Sequence, residues 1–188
     1  MNLGGIYKDL GQLDQALAFT LKSLELKPDN PEALINLGWI YKDLGDHENQ
    51  RKAFNDSLNL KPKSLNHFIV SNSTFRTIYE NEHEIDVDRD NFKKSIKYIA
   101  NNTDLDFKDG GVMSMGLFWL AYQNRTDDKE ILESFSDALL KNKQLSAIIN
   151  KYKANNQAKE NDERLHIGII SDFWGDKHPV SLHYSGII

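Results

Sequence analysis

Few residues in this chain could carry chemistry. Cysteine is absent from all 188 residues, which excludes disulfides, thiolate metal sites and cysteine nucleophiles together. His47, His67, His83, His166 and His183 show no grouping with carboxylates at metal-ligand spacing, and they read as structural or exposed side chains. The run Asp86-Val87-Asp88-Arg89-Asp90 opens like a calcium loop. Its sixth position is Asn91 rather than glycine and its twelfth is Lys97 rather than glutamate, so the sharp turn and the bidentate ligand are both missing. The carboxylates Glu80, Glu82, Glu84, Asp86, Asp88 and Asp90 read instead as a solvated helix face and a partner for a helix N-terminal dipole.

The elements that would position any site are dominated by a repeat. Sliding the chain by 34 residues lays Asn2–Gly11 on Asn36–Gly45, Ser23-Leu24 on Ser57-Leu58, and Leu26-Lys27-Pro28 on Leu60-Lys61-Pro62, giving 14 identities over 30 positions. Ordinary residue frequencies give about two. Leu3, Ile6, Tyr7 and Leu10 fall on one helical face. Gly4 and Gly38 allow a second helix to approach closely. Gly11 and Gly45 sit where a left-handed cap ends the first helix of each pair. Second helices are expected from about Asp14 to Lys27 and from about Glu48 to Lys61. Pro28 and Pro62 stop them, and Asn30-Pro31 restarts the chain as N-cap and first helical residue. The period is that of tetratricopeptide repeats. Ala16 and Phe54 fill the small and aromatic packing sites of that pattern, whereas Gln50 and Thr20 replace their counterparts. The pattern preceding Leu3 is cut short, so the chain is expected to begin inside a longer array.

Beyond residue 64 no third good repeat is visible. Ile85, Phe92, Ile96 and Ile99 predict a helix over about Asn81–Ala100, followed by a breaker-rich stretch with a turn at Asp109-Gly110-Gly111. Leu117–Tyr122 is a short apolar run, either a buried strand or a helix segment. Asp127 to about Tyr152 supports one or two helices, and Lys151–Arg164 reads as a polar linker. Leu165–Ile170 then reads as a buried parallel strand, Ser171–Lys177 as a loop, and His178-Pro179-Val180 as the opening of a helix. A lone strand needs a partner, so the sheet is expected to continue past Ile188. The expected organisation is two repeats over 1–64, a helical connector over 65–160, and the first strand and helix of a further domain over 161–188.

The net charge of −5 and the absence of a basic stripe argue against a nucleic-acid partner. No apolar run approaches the roughly 18 residues of a membrane span, and no secretory signal opens the chain. A cytoplasmic protein with no membrane partner is expected. The sequons at Asn55, Asn72, Asn101 and Asn124 carry little weight in that setting.

The order of segments resembles the O-linked N-acetylglucosamine transferase family, including its SPINDLY-type bacterial members. The resemblance rests on the repeats, on the strand followed by Ser171-Asp172-Phe173 and His178-Pro179-Val180, and on two connector segments. Arg76–Ile85 is similar to an "IYxxExEI" helix start, and Phe118–Gln123 to an "FYLAYQG" segment. The resemblance implies a mostly α chain that ends in the first strand and helix of a Rossmann-like lobe of GT-B type. It also implies a parent that transfers a sugar from a nucleotide donor of the UDP-N-acetylglucosamine kind to a protein hydroxyl, without a metal. No cofactor site is expected within these residues, and the chain alone is expected to be inactive.

His178 matches the histidine of the family's His-Pro motif, which is implied to be a catalytic base. An imidazole has a suitable pKa for that task near neutral pH. The family's asparagine before Leu-Gly lines the acceptor surface, which carries over to Asn2 and Asn36. A carboxamide offers donors and an acceptor to a peptide backbone without reading its side chains. The partner so implied is a protein or peptide acceptor on the repeats. Two other classes stay open: a non-enzymatic tetratricopeptide scaffold, and a helical domain attached to an unrelated Rossmann enzyme such as a methyltransferase. The second is disfavoured because Ser171–Lys177 holds only Gly175.

Overall fold

Local rules fix the helix ends, and the ends fix the hairpins. The structure is a computed structural model and describes residues 3–76, 78–107 and 116–157. The helices are α1 (Leu3–Asp9), α2 (Leu13–Leu26), α3 (Pro31–Asp43), α4 (His47–Leu60), α5 (Leu65–Asn72), α6 (Glu82–Asn101), α7 (Asp128–Leu140) and α8 (Lys143–Gln157), with a 3₁₀ helix over Gly116–Gln123. No strand occurs among the described residues, and none of their helices is long and apolar enough to cross a membrane. The chain divides into two compact units, Met1–Lys151 and Tyr152–Ile188. Of the second, only the end of α8 is described. The expected turn at 109–111 and the expected strand, loop and helix of 165–188 lie outside the described residues.

The two hairpins close in the same way. Gly11 and Gly45 have φ of 72° and 77°. In each, the glycine N–H donates to a carbonyl three residues back, and the next N–H reaches Tyr7 or Tyr41. A Cβ at either glycine would meet no atom within 4 Å, so the constraint there is backbone conformation rather than space. Helix starts follow the same economy. Asn30 Oδ1 accepts from the Ala33 N–H (3.2 Å) with Pro31 next to it. Asp46 caps α4, and its carboxyl is held below the usual range first by the Asn49 side chain and then by the Asn49 N–H. Asn81 caps α6 through the Glu84 N–H (3.1 Å), and Glu84 Oε2 accepts from the Glu80 N–H (3.0 Å).

The sequence hid one helix. At an offset of 34 residues, α5 shares a single identity with α3, Ile69 on Ile35, yet it packs on α4 as α3 packs on α2. Ser71 Oγ donates to the Phe54 carbonyl (2.8 Å) across that contact. From Leu65 onward the apolar side chains form one continuous core, with Ile69, Phe75, Phe92, Ile96, Leu120, Ile131 and Phe135 at its centre.

Leu117–Tyr122, open between strand and helix on sequence grounds, is part of the 3₁₀ helix. Three residues per turn line up Leu117, Leu120 and Gln123. Leu120 and Gln123 are buried, while Tyr122 is exposed. The linker expected from Lys151 is corrected as well, because α8 runs on to Gln157. That stretch lacks apolar periodicity, but Lys151, Lys153, Ala154 and Gln157 are good helix formers with no breaker among them.

The start of α8 grips the loop after α6. Asn142 is buried. Its Nδ2 donates to the Leu105 carbonyl (2.7 Å), and its Oδ1 accepts from the Gln144 and Leu145 N–H groups (3.1 and 3.0 Å). On the other side of the loop, the Leu65 N–H donates to the Asp106 carbonyl (2.9 Å) and the Asp106 N–H to the Lys63 carbonyl (2.7 Å). A short parallel bridge thus ties the repeats' end to the connector. Replacing Asn142 by alanine removes a buried cap and orphans the Leu105 carbonyl. Urea unfolding of Asn142→Ala should show a loss of about 2 kcal/mol, and a change below about 0.5 kcal/mol would contradict this account of the junction.

Candidate functional site

Three regions can be built from the residues upward: the repeat face bearing Asn36, a buried polar node in the connector, and a groove where the two meet. On α3, the stripe Ala33, Leu37 and Ile40 is buried. Helical spacing puts Asn36 on an adjoining stripe with Trp39 and Asp43. Asn36 is half-buried, and its carboxamide makes no hydrogen bond to another described residue. Trp39 beside it meets Phe54 edge to face at 5.0 Å, and the Lys42 ammonium lies 5.2 Å from the Trp39 ring centroid. Asn2, the equivalent residue of the first repeat, and His178 lie outside the described residues.

Helix approach sets the depth of that face. A Cβ on Gly38 would stand 2.3 Å from Phe54 Cε1, and one on Gly4 would stand 2.0 Å from Thr20 Oγ1. The glycines expected to admit a second helix do so. Thr20 and Gln50, which depart from the repeat pattern, are both buried. Each leaves a polar atom without a hydrogen-bond partner among the described residues, Thr20 Oγ1 and Gln50 Nε2. An orphaned buried polar atom costs about 1–3 kcal/mol. Deviation from the pattern therefore coincides with an energetic defect in both repeats.

The connector node joins the two connector segments singled out in the sequence, Arg76–Ile85 and Phe118–Gln123. Gln123 Nε2 donates to the Tyr79 hydroxyl (2.5 Å), and Gln123 Oε1 accepts from Arg89 Nη1 (2.9 Å). Arg89, only 3% exposed, also binds the carboxylates of Asp127 and Asp128, the latter at 2.6 Å. Burial, with the Asp88 charge adding, pushes the Tyr79 hydroxyl up to about 12. Asp127 is held below the ordinary carboxylate range, chiefly by the hydrogen bond from Lys93 and also by Arg89.

Asp88 is raised instead, because burial outweighs its pairing with Arg76 at 3.1 Å. The acidic stretch is therefore only partly the solvated face expected. Glu80, Glu82, Asp86 and Asp90 are exposed, while Asp88 is half-buried and Arg89 fully so. Sequence reading missed Arg89. Its signal was the helical register with Phe92, Ile96 and Ile99, which puts position 89 on the apolar face.

Between α4, α5 and α6 lies a groove of about 510 Å³. Gln50 and Arg51 of α4, Arg76 of the segment after α5, and Asp88, Lys94 and Tyr98 of α6 line it. The described residues contain no group of three or more histidine and acidic side chains placed to hold a metal ion.

Two outcomes follow from this packing. Gly38→Ala should cost about 1–3 kcal/mol by overpacking against Phe54. Thr20→Val should be neutral or stabilising by up to about 1 kcal/mol, since it removes an orphaned hydroxyl at nearly constant shape. Paired thermal melts check both. The lowered pKa of Asp127 makes a contribution that is complete above the unfolded value of 3.8 and is lost as pH falls through the lower folded value. The raised pKa of Asp88 acts with the opposite sign. Urea unfolding between about pH 7 and pH 3 should therefore show a flatter acid limb for Asp127→Asn than for the unsubstituted chain.

Residues 4–64 match the protein-family model described as TPR repeat. No curated protein matches the chain. The match spans α1–α4 and the turn into α5, the same residues in which the 34-residue duplication, the paired left-handed glycines and the paired close approaches occur. Helical hairpins of this kind generally bind protein or peptide partners. The first third of the chain carries tetratricopeptide repeats, which points to a protein-interaction module.

Proposed function

We propose that this chain is the acceptor-presenting and connecting part of a protein O-glycosyltransferase similar to the O-linked N-acetylglucosamine transferases. In this reading Asn36, with Asn2 before it, holds the backbone of an extended acceptor segment. The mixed donor and acceptor character of carboxamides suits many side-chain sequences. His178 takes the proton of a serine or threonine hydroxyl as that oxygen attacks the sugar's anomeric carbon. The bond from that carbon to the nucleotide diphosphate breaks, and the diphosphate leaves with its electron pair. The nucleotide sugar is a substrate of the expected catalytic lobes, and no described residue is assigned to it. The boundaries 1–64, 65–160 and 161–188 belong to the same proposal.

One observation supports the reading above the others. Tyr79 of the "IYxxExEI"-like segment and Gln123 of the "FYLAYQG"-like segment share a direct hydrogen bond in the connector that follows the repeats. Two short likenesses scattered by chance have no reason to meet. A non-enzymatic scaffold is the competing reading, favoured by a family match confined to residues 4–64.

The test uses the natural open reading frame containing this chain, expressed whole. The glycosyltransferase reading expects strand–helix units encoded after Ile188. It also expects transfer of labelled sugar from UDP-N-acetylglucosamine or another nucleotide sugar to protein serine or threonine, with a loss of about 100-fold or more in His178→Ala. A stop codon directly after Ile188, or a full product that binds peptide yet transfers no sugar, decides for the scaffold.

A further inference from the structure

The groove between α4, α5 and α6 has properties that neither the repeat face nor the glycosyltransferase reading requires. Its charge is unbalanced. Arg76 is neutralised by Asp88 at 3.1 Å. Arg51 of α4 and Lys94 of α6 are both exposed and form no direct ion pair with any described residue, although the Arg51 charge also acts on Asp88. Three cationic side chains, Arg51, Arg76 and Lys94, thus line one cleft against the single carboxylate of Asp88, in a chain whose net charge is −5. Cations in a concave site of low-dielectric walls concentrate anions more strongly than the same cations on a flat surface.

A second observation comes from the wall of the groove. Gln50 is 1% exposed, and its Oε1 is engaged by His47 Nδ1 at 3.1 Å. Its Nε2 has no partner among the described residues. The equivalent residue of the first repeat is Ala16, which shows that packing at this position needs no amide. A buried amide that is dispensable for packing and under-bonded is matched by an oxygen acceptor supplied from outside. Asn55 and Asn91 line the same groove with carboxamides able to bond a peptide backbone in either direction. Its volume of about 510 Å³ is more than a lone anion needs, and falls in the usual range of about 300–1,000 Å³ for ligand sites. Tyr98 is stacked on Phe68 at 4.5 Å and 16°, so its inner face is already occupied.

We infer that this groove binds an acidic peptide segment of a partner protein, with a carboxylate held between Arg51 and Lys94 and an oxygen of the same peptide accepting from Gln50 Nε2. The inference goes beyond the proposed function, because the groove is built from α4 and the connector rather than from the Asn36 face. It holds whether or not the chain's parent transfers sugar. Placement at the joint between repeats and connector gives a partner a grip on both.

The experiment uses the full 188-residue chain and an array of mixed-sequence octapeptides at low salt. Bound peptides should be enriched in Asp and Glu, and the enrichment should fall about 10-fold in Arg51→Ala and in Lys94→Ala. Lys129→Ala, which removes an exposed cation on α7, should leave it unchanged. Gln50→Leu separates binding from folding, because it should melt at the same or a higher temperature while binding the acidic peptides about 5–10-fold more weakly. Absence of acidic enrichment overturns the inference, as does enrichment that survives Arg51→Ala and Lys94→Ala together. Displacement by inorganic phosphate as effective as by an acidic octapeptide would assign the groove to small anions instead and overturn it too.

Discussion

A guanidinium cannot be left bare among apolar side chains, and the connector is organised by that constraint. Arg89 sits on the face of α6 that carries Phe92 and Ile96, where an unpaired charge would be untenable. Gln123 from the 3₁₀ helix and Asp127 and Asp128 from the start of α7 converge on it. Their convergence dictates much else. Asp127 is committed to Arg89 and Lys93, so α7 begins without a side-chain cap of its own. Gln123 is turned inward, which sets the phase of the 3₁₀ helix and with it the burial of Leu120. Through Tyr79, the same contact fixes the segment leading into α6.

The two repeats share a sequence pattern but not a quality of packing. In the second, Phe54 fills the space above Gly38 and Trp39 closes its edge. In the first, Thr20 stands where the aromatic would be, and Leu3, Ile6, Leu10 and Phe19 are all partly exposed. The stacked Tyr7 and Phe19 rings, 5.0 Å apart, offset only part of that deficit. The better-packed hairpin is the one that α5 and the connector rest on.

What the sequence made legible follows from whether the controlling interaction is local. Caps, left-handed glycines and glycine close approaches repeat at 34 residues and are written within a few positions of where they act. The helix over Glu82–Asn101 was readable from its apolar spacing to within one residue at each end. In contrast, α5 is eight residues long, shares only Ile69 with α3 (Ile35), and owes its place to a surface offered by α4. The 3₁₀ helix depends on Arg89, about 30 residues before it in the chain, which no local pattern encodes. Of the candidate site, Asn36 came from the pattern. The groove did not, since its walls come from three helices. Its one sequence clue was Gln50, visible as a departure from the repeat but not as an orphaned donor.

The bridge between Ser64 and Asp106 also sets an order of assembly. Bonds that close the repeats span a few residues or, for Ser57 Oγ to the Pro31 carbonyl, 26. Long-range bonds that close the connector span 34 to 44, from Arg89 to Gln123 and Asp128, from Asn142 to Leu105, and from Gln123 to Tyr79. Contacts of short span form faster, because less chain entropy is surrendered before they are rewarded. On a growing polypeptide, α3 and α4 are complete before Asp106 is made. The connector therefore condenses onto a surface already folded, with the Leu65 N–H as one of its first points of attachment.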